Sequence, residues 1–172
     1  MKDYRGNIKS VNLFSTLTDQ EIQIISRITR LKNVSKGQVI FQEGDIGDAL
    51  YIILKGKVKI SLYDEDGDEY ILDIIGKDGF FGELALIDEL PRSADVIAIE
   101  DSEFLIVHRN DFLKMLLENP TITISILKTL SQRLRAADER IKGLAFMNVS
   151  ARILKYLLDM GEKAGITVKD YI

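Results

Sequence analysis

The residues best suited to chemistry lie in one short stretch, residues 80–96, which reads FFGELALIDELPRSADV. It places a glycine, a glutamate, an arginine and a serine close together, at Gly82, Glu83, Arg92 and Ser93. We expect these four residues to turn outward while the apolar side chains of the stretch face a core. The apolar set is Phe80, Phe81, Leu84, Leu86 and Ile87. This arrangement is suited to a small anion that carries hydroxyl groups.

Each of the four polar positions has a role that its chemistry suggests. Gly82 has no Cβ atom, so its backbone can adopt unusual dihedral angles and approach a ligand closely. Residues 83–87 favour a helix, whose first turn offers N–H groups and partial positive charge to a phosphate. Arg92 adds a charged fork that pairs with two phosphate oxygens, and Ser93 adds one hydroxyl donor. Glu83 would repel a phosphate, so it fits best as an acceptor for sugar hydroxyls such as those of ribose.

A second interpretation of the same stretch is purely structural. FGELAL can be a turn in the core, and the segment around Arg92 can be an ordinary loop. Glu83 and Arg92 can form an ion pair that only supports the fold. Short motifs often occur without the associated function, so the spacing alone leaves both interpretations open.

The order of these residues resembles a known motif. FGELAL, followed after a short gap by PRSA, is similar to the phosphate-binding cassette of cyclic-nucleotide-binding domains, in particular those of the Crp/Fnr family of bacterial transcription regulators. The resemblance extends over about residues 11–159. It implies a ligand-binding set with Gly82 and Glu83 at the ribose, Arg92 and Ser93 at the cyclic phosphate, and Leu84 beside them.

The resemblance also implies a fold and a function. The fold is mainly β with flanking helices: a cyclic-nucleotide-binding β-roll, of the jelly-roll or double-stranded β-helix type, followed by a long dimerisation helix. The function is that of the effector-binding and dimerisation part of a transcriptional regulator, which binds a cyclic nucleotide and switches DNA binding allosterically. The alternatives are a stand-alone cyclic-nucleotide-binding regulatory subunit and a family member whose ligand is altered or lost.

Composition is that of an ordinary globular protein. The 172 residues can bury one core and part of a second, and 46% of them are hydrophobic and 29% charged. No apolar run approaches the roughly 20 residues of a membrane-spanning helix, and the polar start MKDYRGNIKS is unlike a signal peptide. We therefore expect a cytoplasmic protein with no membrane partner.

Cysteine and histidine usage excludes several kinds of site. With zero Cys, a disulfide, a zinc knuckle and an iron–sulfur cluster are excluded. His108 is the only histidine, too few for a cupin-type metal site, and a lone histidine at a strand end is more often structural than a haem ligand. No nucleophile–base pair is recognisable. We expect no metal, no haem, no iron–sulfur cluster and no enzymatic activity.

The elements that must position the candidate site are a helix and a series of short strands. Thr18 and Glu21 form a capping-box pattern at a helix start. Over residues 34–107, β-branched and aromatic runs alternate with turns, and eight of the twelve glycines fall within residues 37–82. The predicted strands are QVIFQ, ALYIIL, KVKISLY, EYILDII, DVIAIE and EFLIV, with a hairpin turn at residues 64–68.

Apolar residues of these strands are candidates for the walls around a nucleotide base. Residues 57–62 alternate Lys and Ser with apolar side chains, which predicts a strand with one wet face that includes Ser61. The resemblance implies that Ile60, Leu72 and Ile75 surround the base. From the pattern alone, plain core packing explains these three residues equally well.

After Arg109 the apolar period returns to that of a helix. Asn110 can cap a short helix through Leu117, and Asn119-Pro120 can start a longer one. Along the longer helix, apolar residues recur at alternating steps of three and four, a heptad seam that specifies a partner helix. The partner can be intrachain, but the resemblance implies a parallel homodimer. The seam residues are Leu127, Leu130, Leu134, Ala137, Ile141 and Leu144.

Two charged residues of this helix bear on the ligand. The resemblance implies that Arg133 reaches toward the phosphate and Glu83. Several relatives place hydroxyl residues against the base where this chain has Ala137 and Asp138. Asp138 can accept from the exocyclic amino group of adenine or guanine, or pair with Arg133 of the other helix. The family favours cAMP as the effector, and cGMP is the rival.

The C-terminal end starts an element that the sequence does not finish. Residues 128–172 hold 9 Lys and Arg against 5 Asp and Glu, whereas residues 1–127 hold 14 against 22. The resemblance implies the start of a winged helix-turn-helix domain, so we expect a truncated regulator whose full form binds DNA and RNA polymerase. Its apolar face is Val149, Ile153, Leu154, Leu157 and Leu158. The predicted domains are the β-roll with its N-terminal helix (1–118), the dimerisation helix (119–147) and this partial domain (148–172).

Overall fold

The computed structural model describes residues 5–11, 14, 17–146, 154 and 157–158. Its helices are α1 (Arg5–Ser10), α2 (Asp19–Ile28), α3 (Leu84–Ile87), α4 (Arg109–Glu118) and α5 (Pro120–Phe146). Its strands are β1 (Thr29–Val34), β2 (Val39–Phe41), β3 (Ala49–Lys55), β4 (Val58–Tyr63), β5 (Glu69–Ile75), β6 (Phe80–Phe81), β7 (Asp95–Ala98) and β8 (Ser102–His108).

Helix α2 begins where the capping-box pattern predicts. The Thr18 hydroxyl accepts a hydrogen bond from the backbone N–H of Glu21, and the Glu21 carboxylate accepts one from the Thr18 N–H at 2.8 Å. The two bonds satisfy N–H groups that the first turn of a helix otherwise leaves without partners. Ile22 and Ile25 then bury one face of the helix.

The strands form two antiparallel sheets of four strands each. The order is β1-β8-β3-β6 in the first sheet and β2-β7-β4-β5 in the second. Strand β3 is central to the first sheet, and its Tyr51 lies opposite Ile106 of β8 on one side and Phe81 of β6 on the other. The short strand β6 therefore brings the start of the candidate cassette against the middle of β3.

The register between β4 and β5 shifts in the middle of the hairpin. Ile60 pairs with Asp73, whereas Ser61 pairs with Ile71. Leu72 is thus the extra residue of a β-bulge, which bends β5 and changes the direction of its side chains.

The core lies between the inner faces of the two sheets. Both sheets contribute β-branched and aromatic side chains, as expected for two packed layers. The buried cluster comprises Val34, Ala49, Tyr51, Ile53, Val58, Ile75, Phe81, Val96, Ala98 and Phe104, with Ile40, Phe41, Ile60 and Ile106 packed against it. Two sheets of this kind form the predicted β-roll, which α5 follows in the chain.

The six predicted strands are confirmed as β2, β3, β4, β5, β7 and β8, but β1 and β6 were not predicted. Strand β1 buries only Val34, so it lacks the apolar alternation by which a strand is recognised. It forms because all six of its residues pair with β8. The predicted hairpin turn is confirmed: the Asp64 N–H donates to the Asp68 carbonyl at 3.1 Å, and Gly67 has φ +85°.

Ser61 was predicted on a wet face of β4 and is instead fully buried. It lies on the same face as Lys59 and Tyr63, because side chains alternate along a strand. The Glu69 carboxylate accepts hydrogen bonds from Lys59 Nζ at 2.6 Å and from the Tyr63 hydroxyl at 2.9 Å. Glu69 therefore bridges the residues on either side of Ser61, which accounts for its burial.

The predicted cap of α4 was wrong by two residues. His108, not Asn110, is the N-cap, because β8 runs to His108 and the helical dihedral angles begin at the next residue. Helix α5 begins at Pro120, as predicted. Asn119 precedes α5 as predicted, and its carbonyl accepts from the Thr123 N–H at 3.2 Å, while its side chain donates to the Met115 carbonyl at 2.9 Å, at the end of α4.

The chain divides into two compact units, residues 1–125 and 126–172. The first unit holds both sheets and the cassette, and the division falls inside α5. The predicted domain limits at residues 118 and 147 stay predictions. Most of the predicted partial domain, including Val149 and Ile153, lies outside the described residues.

Candidate ligand-binding site

The first part of the predicted cassette consists of β6, Gly82, Glu83 and the single-turn helix α3. Gly82 has φ +83°, a left-handed conformation that a side chain makes unfavourable. Glu83 precedes α3, and its carbonyl oxygen accepts from the N–H groups of Leu86 and Ile87 at 3.0 and 3.1 Å. The glycine thus turns the chain from the strand directly into the helix.

The orientation of four cassette residues differs from the prediction. Leu84 and Ile87 are 44% and 47% exposed, whereas Glu83 and Arg92 are only 2% and 4% exposed. Leu84 and Ile87 are three residues apart, so they share one side of a helical turn, and this side faces solvent. Ser93 is exposed, as predicted, and the ligand role of Leu84 stays a prediction.

Arg92 is held in the interior by main-chain oxygen atoms. Its Nη1 donates to the Gly82 carbonyl at 2.7 Å, and its Nη2 donates to the Ala49 carbonyl at 2.8 Å. These bonds use two of the five N–H groups of a guanidinium. Among the described residues, Nε of Arg92 has no hydrogen-bond partner. The guanidinium therefore keeps donors for an anion.

Two glycines make room for the guanidinium. A Cβ atom at Gly82 would lie 2.7 Å from Nη1 of Arg92 and 3.1 Å from the Ala49 carbonyl oxygen. A Cβ atom at Gly47 would lie 3.1 Å from Nε and Cζ of Arg92 and 2.4 Å from Cβ of Ala85. The side chain of Arg92 thus occupies a slot that only glycine leaves open at both positions.

Backbone hydrogen bonds join the loop after β2 to the segment that carries Arg92. The Gly44 N–H donates to the Arg92 carbonyl at 2.9 Å, and the Arg92 N–H donates to the Asp45 carbonyl at 2.8 Å. The Glu43 N–H donates to the Asp95 carboxylate at 2.7 Å. These three bonds fix the direction in which the Arg92 side chain leaves the main chain.

Burial and neighbouring charges act in opposite directions on Arg92. Burial lowers its pKa, and the neighbouring Tyr51, Asp48, Asp45 and Glu83 act against that shift. Arginine keeps its charge in proteins. The site is therefore a buried positive charge with carboxylates nearby, and an anion placed there would meet the cation at low dielectric constant.

The three predicted wall residues lie on the adjacent strands β4 and β5. Ile75 is 8% exposed and belongs to the core cluster. Ile60 is half-buried against the same cluster, and Leu72 is half-buried at the bulge. Core packing is thus observed for Ile60 and Ile75, and contact with a nucleotide base stays a prediction for all three.

The predicted interface residues all lie on α5, in the part of this helix that belongs to the second unit. Leu127, Leu134 and Ile141 are 52%, 64% and 62% exposed, and Ala137 is exposed. Asp138 is exposed and Arg133 is half-buried. The ligand roles of Arg133 and Asp138 and the dimer interface, which includes Leu130 and Leu144, stay predictions.

The described residues form neither a metal site nor a membrane-spanning helix. Across residues 17–146 and the other described positions, no group of three or more His, Asp and Glu residues is placed to hold a metal ion. His108 is half-exposed, with its Nδ1 4.0 Å from the Asp48 carboxylate. Within the same described part of the chain, no helix combines the length and the apolar character needed to cross a membrane.

The fold and the cassette together define a class, a small-molecule-binding β-roll, and comparison with known proteins agrees. Residues 31–119 match the family model described as the cyclic nucleotide-binding domain. Over 153 residues, the chain is 33% identical to a Thermus thermophilus protein named cyclic AMP receptor protein, covering 89% of this chain and 71% of that one.

Two further similarities agree with this match. A Mycobacterium tuberculosis protein named CRP-like cAMP-activated global transcriptional regulator is 31% identical over 153 residues, covering 89% of this chain and 68% of that one. The crystal structure of the Thermus thermophilus catabolite activator protein matches with a TM-score of 0.70 and 34% identity, over 78% of this chain and 63% of that chain. This chain belongs to the cyclic-nucleotide-binding Crp/Fnr family of transcription regulators, as the sequence resemblance predicted.

Sequence reasoning did not find three residues that surround Arg92. These are Gly47 and Ala49, which contribute a gap and a carbonyl, and Phe41, whose ring centre lies 4.1 Å from the guanidinium carbon. Ala49 contributes only its backbone carbonyl, and the identity of a side chain gives no indication of such a role. The glycines at positions 44 and 47, just before a strong strand, are a signal that could have marked this loop as a site of close backbone approach.

Proposed function

We propose that this chain is the effector-binding and dimerisation part of a Crp-like transcription regulator, and that a 3′,5′-cyclic nucleotide binds at its cassette. The observation that carries the proposal is the buried Arg92 guanidinium, which two carbonyls fix in place while Nε has no partner among the described residues. A cyclic phosphate has the charge and the paired oxygens that such a fork prefers.

The remaining cassette residues fit the rest of a nucleotide. Glu83 is 2% exposed and lies next to the left-handed Gly82, so its carboxylate is suited to accept hydrogen bonds from a ribose hydroxyl. Ser93 follows Arg92 in the chain and is exposed, which leaves its hydroxyl available to a phosphate oxygen. Glu83 would thus bind the sugar, and Arg92 and Ser93 would bind the phosphate.

The base is proposed to be adenine, and guanine is the rival. The two relatives named above carry cyclic AMP in their names, which supports cAMP. Ile60 and Leu72 are half-buried on neighbouring strands and would pack against either purine. Because adenine and guanine both carry an exocyclic amino group, a hydrogen bond from that group to Asp138 would fit either base.

Dimerisation and DNA binding complete the proposal. Leu127, Leu134 and Ile141 lie on one side of α5 with more than half of their surface exposed, and a row of this kind is suited to a parallel partner helix. The nucleotide would then bias a two-state equilibrium by its difference in affinity for the two states. DNA and RNA polymerase would be bound by the full-length regulator, inside the cytoplasm.

Titration calorimetry of this chain with cAMP and with cGMP tests the effector. We expect saturable binding of one molecule per chain, with cAMP tighter than cGMP. Arg92→Gln should weaken binding by about 10- to 100-fold or more, because a charged hydrogen-bonded pair contributes roughly 1.5–3 kcal/mol and its loss leaves the phosphate buried without its cation. Arg30→Gln, the same change at an exposed arginine of β1, is the matched control.

Unchanged affinity in Arg92→Gln would refute the assignment of the phosphate to this arginine. Binding of cGMP but not cAMP would leave the site in place and change the base. Absence of heat with either nucleotide, in a folded wild-type protein, would reject a cyclic-nucleotide effector and favour a family member with an altered ligand.

A further inference from the structure

The guanidinium of Arg92 lies against aromatic rings as well as carbonyl oxygens. Its central carbon is 4.1 Å from the centre of the Phe41 ring and 6.0 Å from the centre of the Tyr51 ring. Both distances are within the range at which the negative face of a ring attracts a cation. Gly47 and Gly82 leave the space that brings the guanidinium this close.

The two rings, here called the aromatic shelf, are held in place by their neighbours. Phe41 lies 5.8 Å from Tyr51 and 5.9 Å from Phe81, between ring centres. Tyr51 and Phe81 are stacked at 5.1 Å with an interplanar angle of 3°, and Phe104 meets Phe81 edge-on at 5.6 Å. Phe81 is also the residue before Gly82, so the shelf is continuous with the cassette.

A buried cation needs compensation for the water it loses. Two carbonyls provide part of this for Arg92, and the aromatic shelf lies against the guanidinium, where a ring can attract the charge without occupying its N–H groups. An arginine side chain also loses considerable rotamer freedom when it binds a ligand. An arginine already fixed before binding loses less of this freedom at that step, so the affinity of the site increases.

We propose that Phe41 is a positioning residue for the anion: its ring holds the Arg92 guanidinium in the binding orientation before the ligand arrives. The inference rests on the proposed function in one respect, that the anion is a cyclic phosphate. The proposed role lies outside the cassette, because Phe41 is the last residue of β2, about 50 residues before Arg92. The competing explanation is that Phe41 only fills the core, where any apolar side chain of similar size suffices.

Two substitutions separate these explanations. Phe41→Leu keeps an apolar side chain but removes the ring, whereas Phe41→Tyr keeps the ring and adds a hydroxyl to a half-buried side chain. A packing role predicts similar behaviour of the two variants, provided that both fold. A positioning role predicts that only Phe41→Leu is impaired.

The first measurement needs no nucleotide. The Nε–H group of Arg92 should give an NMR signal whose proton is shifted upfield by the ring current of Phe41, assigned by its loss in Arg92→Lys. We expect the shift to persist in Phe41→Tyr and to disappear in Phe41→Leu. A signal at the ordinary arginine position in the wild-type protein, or one that Phe41→Leu leaves unmoved, would overturn the proposal.

The second measurement is titration calorimetry with cAMP. We expect Phe41→Leu to weaken binding about tenfold and Phe41→Tyr to stay within about twofold of wild type, the size of effect expected for a partly desolvated cation–π contact. In an Arg92→Gln background, Phe41→Leu should add no further loss. Equal affinities of the Leu and Tyr variants would overturn the proposal. If the wild-type protein binds neither nucleotide, the proposed function fails, and the NMR signal still decides whether Phe41 holds Arg92.

Discussion

Arg109 caps the end of helix α3: its Nη2 donates to the carbonyl oxygen of Ala85 at 2.9 Å, and to that of Leu86 at 3.3 Å. Helix α3 is a single turn, so most of its carbonyl groups have no partner within the helix. Arg109 is also the first residue of α4, which leads through Asn119 into α5. A movement of the cassette therefore acts directly on the start of α4.

Removal of this cap should loosen the cassette. Arg109→Met keeps an unbranched side chain but leaves the Ala85 and Leu86 carbonyls without their donor, so we expect the free energy of unfolding to fall by about 1–3 kcal/mol. Amide hydrogen exchange across residues 84–88 should become faster. Chemical denaturation and exchange mass spectrometry would measure the two effects. In the control Arg30→Met, at an exposed arginine, both should stay near wild type, and equal exchange in the two variants would contradict this role.

Gly82 should matter for binding as well as for folding. In Gly82→Ala the new Cβ atom would meet Nη1 of Arg92 at 2.7 Å and the Ala49 carbonyl oxygen at 3.1 Å, so the guanidinium must shift away from its two carbonyl acceptors. Gly67→Ala imposes the same backbone strain, since Gly67 has φ +85°, but its Cβ atom would meet nothing within 4 Å. We expect Gly67→Ala to lose roughly 1–2 kcal/mol of stability, and Gly82→Ala to lose more, because the hydrogen bonds of Arg92 to the Gly82 and Ala49 carbonyls are also disturbed.

Only Gly82→Ala should also lose nucleotide affinity, by about tenfold or more, because the displaced Arg92 no longer presents its donors. Denaturation and calorimetry on the same two samples would test this difference. Retention of wild-type affinity in Gly82→Ala would mean that Arg92 is not the residue that receives the anion.

Glu69 should titrate far below an ordinary carboxyl group. Lys59 is the largest cause that lowers the pKa of Glu69 from 4.5 to about 2, and Ser61 and Tyr63 add to this shift. Because the pKa of Glu69 is lower in the folded than in the unfolded protein, this group stabilises the fold at pH values above its unfolded pKa. The stabilisation is lost as the pH falls from about 4.5 toward 2. In Lys59→Met the pKa should rise toward 4.5, and the pH dependence of stability in this range should become weaker.

An NMR titration of the Glu69 carboxyl carbon would measure the shift. Lys57→Met is the matched control. Nζ of Lys57 donates to the carboxylate of Glu100 at 2.9 Å, so the loss of this lysine should leave the pKa of Glu69 unchanged. A wild-type pKa near 4.5 would show that the Lys59 bond does not persist in solution.

The exposed side of α5 should determine the oligomeric state. Leu134→Glu places a charge in the middle of the heptad seam, where burial against a partner helix would be strongly unfavourable. We expect a dimeric wild-type chain and a monomeric variant by analytical ultracentrifugation. Gln132→Glu adds the same charge at an exposed position on the other side of the helix and should stay dimeric. A monomeric wild-type chain would contradict the predicted interface.

The sequence was sufficient for most of the fold because the informative patterns are local. Strand β3 is apolar from Ala49 to Leu54, and the capping box of α2 needs only Thr18 and Glu21. Strand β1 could not be predicted, because TRLKNV has no apolar alternation and becomes a strand only through its pairing with β8.

The candidate site was predicted in its residue types but not in its burial. Charged residues are usually exposed, so Glu83 and Arg92 were placed outward. Arg92 is buried because distant parts of the chain, the Ala49 carbonyl and the Phe41 ring, converge on it. Contacts of this kind depend on the packing of two sheets and have no signature in a short motif.

The oxygen atoms that anchor Arg92, those of Gly82 and Ala49, belong to peptide groups. A peptide oxygen has no proton to gain in mild acid, whereas a carboxylate partner would be neutralised and would release the arginine. Mild acid would therefore leave the two hydrogen bonds of Arg92 in place, whereas ion pairs that depend on a carboxylate, such as Lys57–Glu100, would be weakened.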